Sequence, residues 1–435
     1  MSNLLFCNDR EGEYPNSWYA ATVDELPPQP PLVGHKSCDV CVVGGGYSGL
    51  STALHLRQRG FDAVLLEAHR VGWGASGRNG GQLGSGQRQD QDELETLVGD
   101  APARRLWDLA EEAKATALQL IENHQIDCDF KPGIIHADHK PRYVAHSHRY
   151  ADKLNREYGY SQIAPLDRGA IRNLVASDDY HGGLIDRGSG HLHPLRYALG
   201  LAKAALAAGV VVHEKSLVVI WNRQASGIEI ITNEGSVKAQ HLVLACNGYL
   251  GDMDEMVARH TMPINNFIIA TEPLGDAGAQ SLIAEDVAVA DSRFVVNYFR
   301  RSHDHRLLFG GGENYGYQFP KDIAEFVRKP MLKVFPQLAD TRIDFAWGGT
   351  LAITMNRMPY FARPHPNVWS ISGYSGHGVA MATMAGKLVC EAISGQEERF
   401  DLMARVPSPK FPGGRLLRSP LLALGMLWYA LRDRL

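Results

Sequence analysis

The stretch Cys38–Leu50 constrains the fold more than any other part of the chain. The apolar run Val40 to Val43 predicts a buried parallel strand. Gly44, Gly46 and Gly49 follow it with the spacing G-x-G-x-x-G, and a helical periodicity begins after the last glycine. A strand, a glycine turn and a helix in this order are typical of units that bind a dinucleotide.

The residues that follow strengthen this interpretation. A second apolar strand over 63–66 ends at Glu67, whose carboxylate can accept hydrogen bonds from the hydroxyls of an adenosine ribose. Gly44 allows a tight turn, Gly46 lets a pyrophosphate approach the backbone, and Gly49 lets the helix pack close to the strand. The alternative is a glycine turn in an unrelated α/β unit. A nicotinamide dinucleotide also stays open on this signature alone.

Two further glycine-rich segments extend the pattern. The segment 71–83 contains five glycines in thirteen residues, which indicates backbone pressed against a flat or charged group, and its Arg78 is a candidate phosphate ligand. Near the C-terminus, the strand and turn over 368–379 lead into a helix of small residues. The N-terminus of that helix, with His377 in the turn, would face a ligand with partial positive charge.

Composition limits the function classes. A chain of 435 residues predicts two domains, and a net charge of −4 argues against a nucleic-acid partner. The N-terminus lacks the order of a signal peptide, and no apolar run reaches the roughly 20 residues of a membrane span. Six scattered cysteines indicate free thiols in a reducing compartment, and a cytoplasmic location is expected.

The element pattern predicts an α/β fold with a discontinuous Rossmann-like domain. Bulky strands over 262–271, 294–298 and 306–309 indicate an antiparallel sheet in a second domain, and Phe345 to Thr350 is expected to return the chain to the first. The predicted boundaries are an N-terminal arm at 1–36, a cofactor domain at 37–120, 184–261 and 346–400, a substrate domain at 121–183 and 262–345, and a tail at 401–435.

These motifs resemble the glycine/D-amino-acid/sarcosine oxidase family of FAD enzymes. The resemblance rests on the first glycine turn, on the loop Ala75–Gln82 and on Gly373–Gly378. Gln125–Asp129, Arg357–Pro359 and Phe411–Arg415 are similar to the bacterial γ-glutamylputrescine oxidase branch. The resemblance implies an FAD-binding domain interleaved with an antiparallel-sheet substrate domain, as in D-amino-acid oxidase and glutathione reductase.

The family resemblance also implies the cofactor contacts and the chemistry. FAD would be bound non-covalently, because no cysteine lies between Cys246 and Cys390, where sarcosine oxidases carry their flavin-linking residue. A hydride would pass from an amine carbon to flavin N5, the imine would hydrolyse, and O2 would take the electrons as H2O2. The predicted cofactor-binding residues are Gly44, Gly46, Tyr47, Ser48, Gly49, Glu67, Ala75, Ser76, Arg78, Asn79, Gly80, Gly81, Gln82, Leu83, Val218, Gly248, Gly376, His377, Gly378 and Val379.

The substrate side departs from the family pattern in two places. The stretch Thr350–Thr354 contains no cation where some relatives place an arginine, and Ala380 stands where sarcosine oxidases have a lysine. This weakens a simple α-amino acid as substrate, and the branch resemblance implies γ-glutamylputrescine or a related polyamine derivative. The candidate substrate-binding residues are Arg88, Tyr249, Tyr298, Trp347 and His377, and no acid or base catalyst is assigned.

Three alternatives stay open. L-pipecolate or another cyclic secondary amino acid could bind through Arg88 as a carboxylate anchor. Electrons could pass to a quinone in place of O2, with the apolar tail at 421–431 touching a membrane surface. The chain could also be a flavin-binding subunit without turnover. The subunit count, including a homo-oligomer, is open.

Overall fold

A computed structural model of the chain describes residues 4–412. Its strands, in chain order, are β1 (Gly34–Val43), β2 (Ala63–Leu66), β3 (Gln82–Leu83), β4 (Lys131–Ala137), β5 (Ile163–Leu166), β6 (Gly183–His191), β7 (Val211–His213), β8 (Val218–Gln224), β9 (Gly227–Thr232), β10 (Gly235–Leu244), β11 (Met262–Thr271), β12 (Ala288–Asp291), β13 (Tyr298–Arg301), β14 (Leu307–Asn314), β15 (Ile343–Ile353), β16 (Tyr360–His365) and β17 (Val368–Ser372).

Twelve α-helices accompany these strands within residues 4–412. In chain order they are α1 (Trp18–Ala21), α2 (Tyr47–Gln58), α3 (Gln91–Val98), α4 (Asp100–Asn123), α5 (Pro141–Tyr158), α6 (Arg168–Leu174), α7 (Pro194–Ala207), α8 (Glu255–His260), α9 (Gly275–Leu282), α10 (Ile323–Val334), α11 (Gly378–Ile393) and α12 (Glu398–Ala404). None of the helices within residues 4–412 combines the length and apolar character that crossing a bilayer requires.

The first sheet has the order β16-β17-β10-β1-β2-β7, with β9 beside β10 and β8 beside β9. The strands β17, β10, β1, β2 and β7 run parallel. Side chains on β1 alternate between two apolar clusters: Val40 and Val42 face the helical layer of α2, α4, α7 and α11, and Cys41 and Val43 face the β8–β10 side. The strand β7 lies beside β2, the strand that leads to Glu67.

The second sheet is mostly antiparallel and has the order β15-β11-β14-β13-β12-β4-β6-β3, with β5 beside β6. Its own core includes Phe267, Phe309 and Val327 from β11, β14 and α10. The two-sheet α/β architecture is the predicted fold class.

Several segments lie in a different sheet or begin elsewhere than the sequence indicated. The segment 345–350 does not return the chain to the first sheet, because it forms part of β15 and pairs with β11 along its length. The strand β6, placed in the cofactor domain by the predicted boundaries, belongs to the second sheet. Its Gly183 and Gly190 allow close packing on β4, since a Cβ at Gly183 would lie 2.0 Å from the His136 carbonyl oxygen. The strand expected at 294–298 begins only at Tyr298.

The N-terminal arm crosses both domains. Trp18 and Tyr19 are buried, and the Trp18 indole donates to Asp304 Oδ2 at 3.1 Å. Farther along, Leu32 N donates to Ser216 Oγ at 2.9 Å, close to the first sheet. At the other end, Asn8 Oδ1 accepts from Phe319 N at 2.8 Å in the second domain. The arm therefore ties the two sheets together. The apolar stretch 421–431 lies outside the described residues.

Candidate cofactor and substrate site

A cavity of about 760 Å³ lies between the two sheets. Its lining begins at the first glycine turn, with Gly44 and Glu67, and extends to the turn before α11, with His377. Residues from β11, β13 and β14 of the second sheet also contribute to the wall. The cavity therefore joins the predicted cofactor segments to the predicted substrate domain.

The first glycine turn is shaped by close backbone contacts. Gly44 has φ +109°, and a Cβ there would lie 2.7 Å from the Ala245 carbonyl oxygen. A Cβ at Gly49 would lie 1.8 Å from the Gly44 carbonyl oxygen, so only glycine lets α2 pack this close to the turn. A Cβ at Gly46 would lie 2.8 Å from Ser76 Oγ, and it would make the cavity narrower at this point. The N-terminus of α2, with no side-chain cap at Gly46, lies at this wall.

Glu67 lies where a ribose ligand is expected. Its Oε2 accepts from Gly45 N at 2.6 Å and its Oε1 accepts from His69 N at 2.8 Å. Burial is the main influence on this carboxyl and raises the pKa of Glu67 to about 7. These two hydrogen bonds fix the orientation of the carboxylate and leave lone pairs that can accept from ribose hydroxyls.

The two glycine bends, far apart in sequence, converge in space. Ser48 Oγ at the start of α2 and the Tyr374 hydroxyl in the C-terminal turn lie 2.6 Å apart, and both residues are buried. The helices α2 and α11 pack closely because Gly386 has no side chain, since a Cβ there would lie 2.5 Å from Thr52 N. The N-termini of both helices thus border one cavity, where their partial positive charges favour an anionic ligand.

Arg78 differs from the expected phosphate ligand. Its Nε donates to the Trp73 carbonyl oxygen at 2.7 Å, and its Nη1 donates to Asp9 Oδ2 at 2.9 Å and to the Gly348 carbonyl oxygen at 3.1 Å. Most of its donors therefore hold the protein together. Its Nη2 is buried and lacks a hydrogen-bond partner within residues 4–412, so this nitrogen alone is left for a ligand oxygen.

Four predicted cofactor residues lie behind the cavity wall. They shape the wall through packing: Gly49 against Gly44, Gly81 with φ +77° against the Leu192 carbonyl oxygen, and Gly248 against the Leu351 backbone. Leu83 is fully buried in the main apolar core. The predicted residues that do line the cavity are Gly44, Gly46, Tyr47, Ser48, Glu67, Ala75, Ser76, Arg78, Asn79, Gly80, Gln82, Val218, Gly376, His377, Gly378 and Val379.

The two predicted tyrosines lie in different parts of the cavity. The Tyr298 ring packs over Gly80, where an added Cβ would lie 2.7 Å from the ring, and its hydroxyl donates to Asn266 Oδ1. Tyr249 packs against Trp73 with ring centroids 5.2 Å apart, and its hydroxyl accepts from Thr350 N at 3.3 Å. Tyr298 therefore lies on the side of the cavity formed by the second sheet. Tyr249 lies beside Trp73, near the start of the glycine-rich segment 71–83.

Trp347 does not line the cavity. Its indole is 2% exposed, packs against Tyr19 of the arm and donates from Nε1 to the Arg78 carbonyl oxygen at 3.1 Å. The expectation of a substrate contact is wrong for this side chain, because residue 347 of β15 faces the arm and the core. Sequence could not show which face of β15 would be covered by the arm.

His377 faces Gly84 and Gly86, which directly follow the glycine-rich segment 71–83. Its Nε2 donates to the Gly86 carbonyl oxygen at 2.9 Å, and its ring packs on Gly84. Burial, followed by the charge of Arg88, lowers the pKa of His377 to about 4. The ring is therefore neutral at physiological pH, and it carries Nδ1 as an acceptor.

Arg88 lies in the cavity wall with two charged neighbours that sequence reasoning missed. Arg88 Nε donates to the Ser375 carbonyl oxygen at 3.1 Å. Arg357 and Glu313 line the same cavity, and the charge of Arg357 contributes to lowering the pKa of Arg88 after the larger effect of burial. The segment Arg357–Pro359 carries a family resemblance but no sequence signal that Arg357 would face the cavity. A sequence without an alignment offers no signal that Glu313 would face the cavity.

The fold and the cavity fit a dinucleotide-binding protein, and comparison with known proteins establishes the family. Residues 39–392 match the family described as DAO, FAD dependent oxidoreductase, and the chain belongs to this family. It is 42% identical over 424 residues to the gamma-glutamylputrescine oxidoreductase of Escherichia coli strain K12, covering 97% of this chain and 99% of that protein.

Two further comparisons agree with this placement. The chain is 42% identical over 418 residues to a probable oxidoreductase OrdL of Rhizobium meliloti, covering 96% of this chain and 97% of that protein. The crystal structure of glycine oxidase from Geobacillus kaustophilus superimposes with a TM-score of 0.70 at 21% identity, covering 86% of this chain and 99% of that one. The latter likeness shows the shared fold.

The residues present fit the FAD of this family. The glycine turn leaves backbone exposed at a helix N-terminus, Glu67 offers acceptors for a ribose, and Arg78 Nη2 is a buried donor without a protein partner within residues 4–412. Cys246 is the cysteine that lines the cavity in the described part of the chain. Its thiol donates to the Val43 carbonyl oxygen at 3.5 Å, and burial raises its pKa to about 12, which fits non-covalent binding.

Proposed function

We propose that this chain is an FAD-dependent amine oxidase acting on γ-glutamylputrescine or a close polyamine derivative. The observation that carries the proposal is the 42% identity to the Escherichia coli gamma-glutamylputrescine oxidoreductase, which extends over nearly the full length of both chains. When bound, FAD supplies a two-electron acceptor, so that the terminal CH2–NH2 group becomes an imine that water hydrolyses to an aldehyde and ammonia while O2 is reduced to H2O2.

The side chains around the cavity support an amine substrate. Tyr298 and Phe294 give the substrate-sheet side an aromatic surface that can enclose an alkyl chain and exclude water. The Tyr298 hydroxyl is engaged with Asn266, and burial raises its pKa well above the usual value, so it stays protonated. His377 stays neutral above its pKa of about 4, and its Nδ1 can accept a hydrogen bond from an uncharged or protonated amine.

No side chain needs to take a proton from carbon in this reaction, because the hydrogen leaves the amine carbon as a hydride. The role of the chain is to hold the amine carbon against the flavin and to favour the uncharged amine. The positive charge of Arg88 in the wall favours the neutral form of a nearby amine over its ammonium form.

Oxidation of L-pipecolate is the second candidate, because Arg88, which lies against the turn before α11, could anchor a carboxylate there. The test is turnover of the purified holoenzyme with γ-glutamylputrescine, putrescine and L-pipecolate, measuring H2O2, the aldehyde and ammonia. The proposal predicts the highest kcat/KM for γ-glutamylputrescine, with one H2O2 per aldehyde. A higher kcat/KM for L-pipecolate would contradict it. If the enzyme turns over with a quinone analogue and forms no H2O2 in air, the electron acceptor is a quinone and not O2.

A further inference from the structure

Three charged side chains meet in the cavity wall without pairing with each other. Arg88, Arg357 and Glu313 all line the cavity, and within residues 4–412 none of them has an ion-pair partner within 4.0 Å. Charged groups that are partly removed from water are usually paired. A set of two cations and one anion that is left open toward a cavity therefore indicates a charged ligand.

Each of the two arginines is positioned by a separate turn, and the turns are joined. Gln89 Nε2 donates to the Asn356 carbonyl oxygen at 2.9 Å. This hydrogen bond links the residue next to Arg88 to the turn between β15 and β16, which contains Arg357. Arg357 has φ +62°, a conformation that is uncommon for a residue with a side chain. Its guanidinium lies over the Phe294 ring at 5.3 Å from the centroid. The chain thus maintains an unfavourable backbone conformation at the residue that presents this cation to the cavity.

Glu313 reaches the same region from the second sheet. It lies in β14 opposite Asn266 of β11, and Asn266 also lines the cavity. The Tyr315 hydroxyl donates to Glu313 Oε2 at 2.8 Å, which fixes the carboxylate and leaves Oε1 free of a hydrogen-bond partner in the described part of the chain. Burial raises the pKa of Glu313, whereas the charges of Arg357 and Arg88 lower it, which shows that the three groups share one electrostatic environment.

The ligand chemistry that complements this arrangement is a zwitterion. A carboxylate pairs with a guanidinium through two parallel hydrogen bonds, and an ammonium pairs with a carboxylate. A simple diamine would meet uncompensated arginine charge, and a simple carboxylate would leave Glu313 unpaired. An α-amino-acid head group carries both charges on one carbon and satisfies both sides.

We propose that Arg357 and Glu313 bind the α-amino-acid head group of the substrate, with Arg357 holding its carboxylate and Glu313 its ammonium. The proposal rests on the proposed function and deepens it. The substrate class is a terminal amine joined by a chain to an α-amino-acid head, so that the head group, remote from the reacting carbon, determines which amines are oxidised. Arg88 is held at the turn before α11, where its Nε donates to the Ser375 carbonyl oxygen at 3.1 Å.

The test measures binding of three ligands in which a butyl group replaces the 4-aminobutyl group that carries the reacting amine. They are γ-glutamylbutylamide, its analogue without the α-amino group (glutaric acid monobutylamide) and its analogue without the carboxylate (4-aminobutyric acid butylamide). Dissociation constants are read from the change in flavin absorbance of the holoenzyme. The wild type is expected to bind γ-glutamylbutylamide about 10- to 100-fold more tightly than either analogue, the range for losing a hydrogen bond to a charged group.

The variants assign each charge to a residue. Glu313→Gln is expected to bind γ-glutamylbutylamide and the analogue without the amino group equally, while still discriminating against loss of the carboxylate. Arg357→Gln is expected to show the converse, and Arg357→Lys to recover part of the carboxylate preference. Arg363→Gln is the matched control, because Arg363 pairs with Glu397 on the exposed surface and should leave all three constants unchanged. A retained flavin spectrum and melting temperature show that each variant is folded.

The head-group proposal is overturned if the wild type binds all three ligands alike, or if each variant weakens all three by the same factor. Failure of the proposed function gives a different result. In that case the wild type discriminates among the ligands as described but does not oxidise γ-glutamylputrescine. Oxidation of γ-glutamylputrescine without any discrimination among the ligands would retain the function and refute the head-group site.

Discussion

The contact between Ser48 and Tyr374 joins the first and last glycine bends, and its strength can be measured by a double-mutant cycle. Their oxygens lie 2.6 Å apart, and both residues are buried. Ser48→Ala or Tyr374→Phe alone leaves one buried hydroxyl without its partner, and each is expected to lower the free energy of unfolding by about 1–3 kcal/mol. The double variant removes both hydroxyls, so its loss should be smaller than the sum of the two single losses by about 1 kcal/mol.

The assay is urea unfolding of the holoprotein for the wild type, the two single variants and the double variant. A control cycle combines Ser48→Ala with Tyr298→Phe, because the Tyr298 hydroxyl bonds to Asn266 and not to Ser48. The control pair should be additive within about 0.5 kcal/mol, as expected for residues without a shared contact. Additivity of the Ser48 and Tyr374 losses to the same limit would refute the convergence of the two glycine bends.

Two further predictions concern the N-terminal arm. Asp9→Asn leaves the Arg78 guanidinium, whose side chain is 1% exposed, without its carboxylate; the FAD dissociation constant should rise by at least about fivefold, measured by fluorescence of released FAD. The control variant Glu13→Gln removes only an exposed ion pair with Arg10 and should leave the FAD dissociation constant unchanged. Equal FAD dissociation constants for the two variants would contradict the role of Asp9. His69 accepts from Gly12 N at Nδ1 and donates from Nε2 to the Leu5 carbonyl oxygen, and burial lowers its pKa from 6.5 to about 4. The stability from its neutral ring is therefore complete above pH 6.5 and is lost as the pH falls toward 4; the melting temperature of His69→Gln should decline less than that of the wild type between pH 7 and pH 4.5, and parallel declines would contradict this.

The glycine bends of the candidate cofactor site were predictable from sequence because their geometry is local. Gly44, Gly46 and Gly49 act through backbone geometry within one strand–turn–helix–strand unit, and Glu67 places its carboxylate at the end of that unit. The second glycine bend, with Gly376 and the start of α11, was predicted from the same order of strand, glycine turn and helix.

The substrate half depends on long-range packing that no local pattern encodes. Trp347 was expected in the cavity, but the arm residue Tyr19 covers it, some 330 positions away in sequence. Glu313 faces the cavity because β14 pairs with β11, and Arg357 does so because of one turn with a positive φ. Arg78 has a protein carboxylate as its partner because the arm folds back over it, a contact that the glycine-rich loop alone could not reveal.

Anaerobic titration of the purified holoprotein with γ-glutamylputrescine tests whether the FAD of this chain oxidises that amine. The expected result is a protein with the visible absorbance bands of FAD that bleach with one equivalent of γ-glutamylputrescine per flavin and return when air is admitted. A protein that carries no flavin, or one whose flavin absorbance does not change with γ-glutamylputrescine under these conditions, would contradict it.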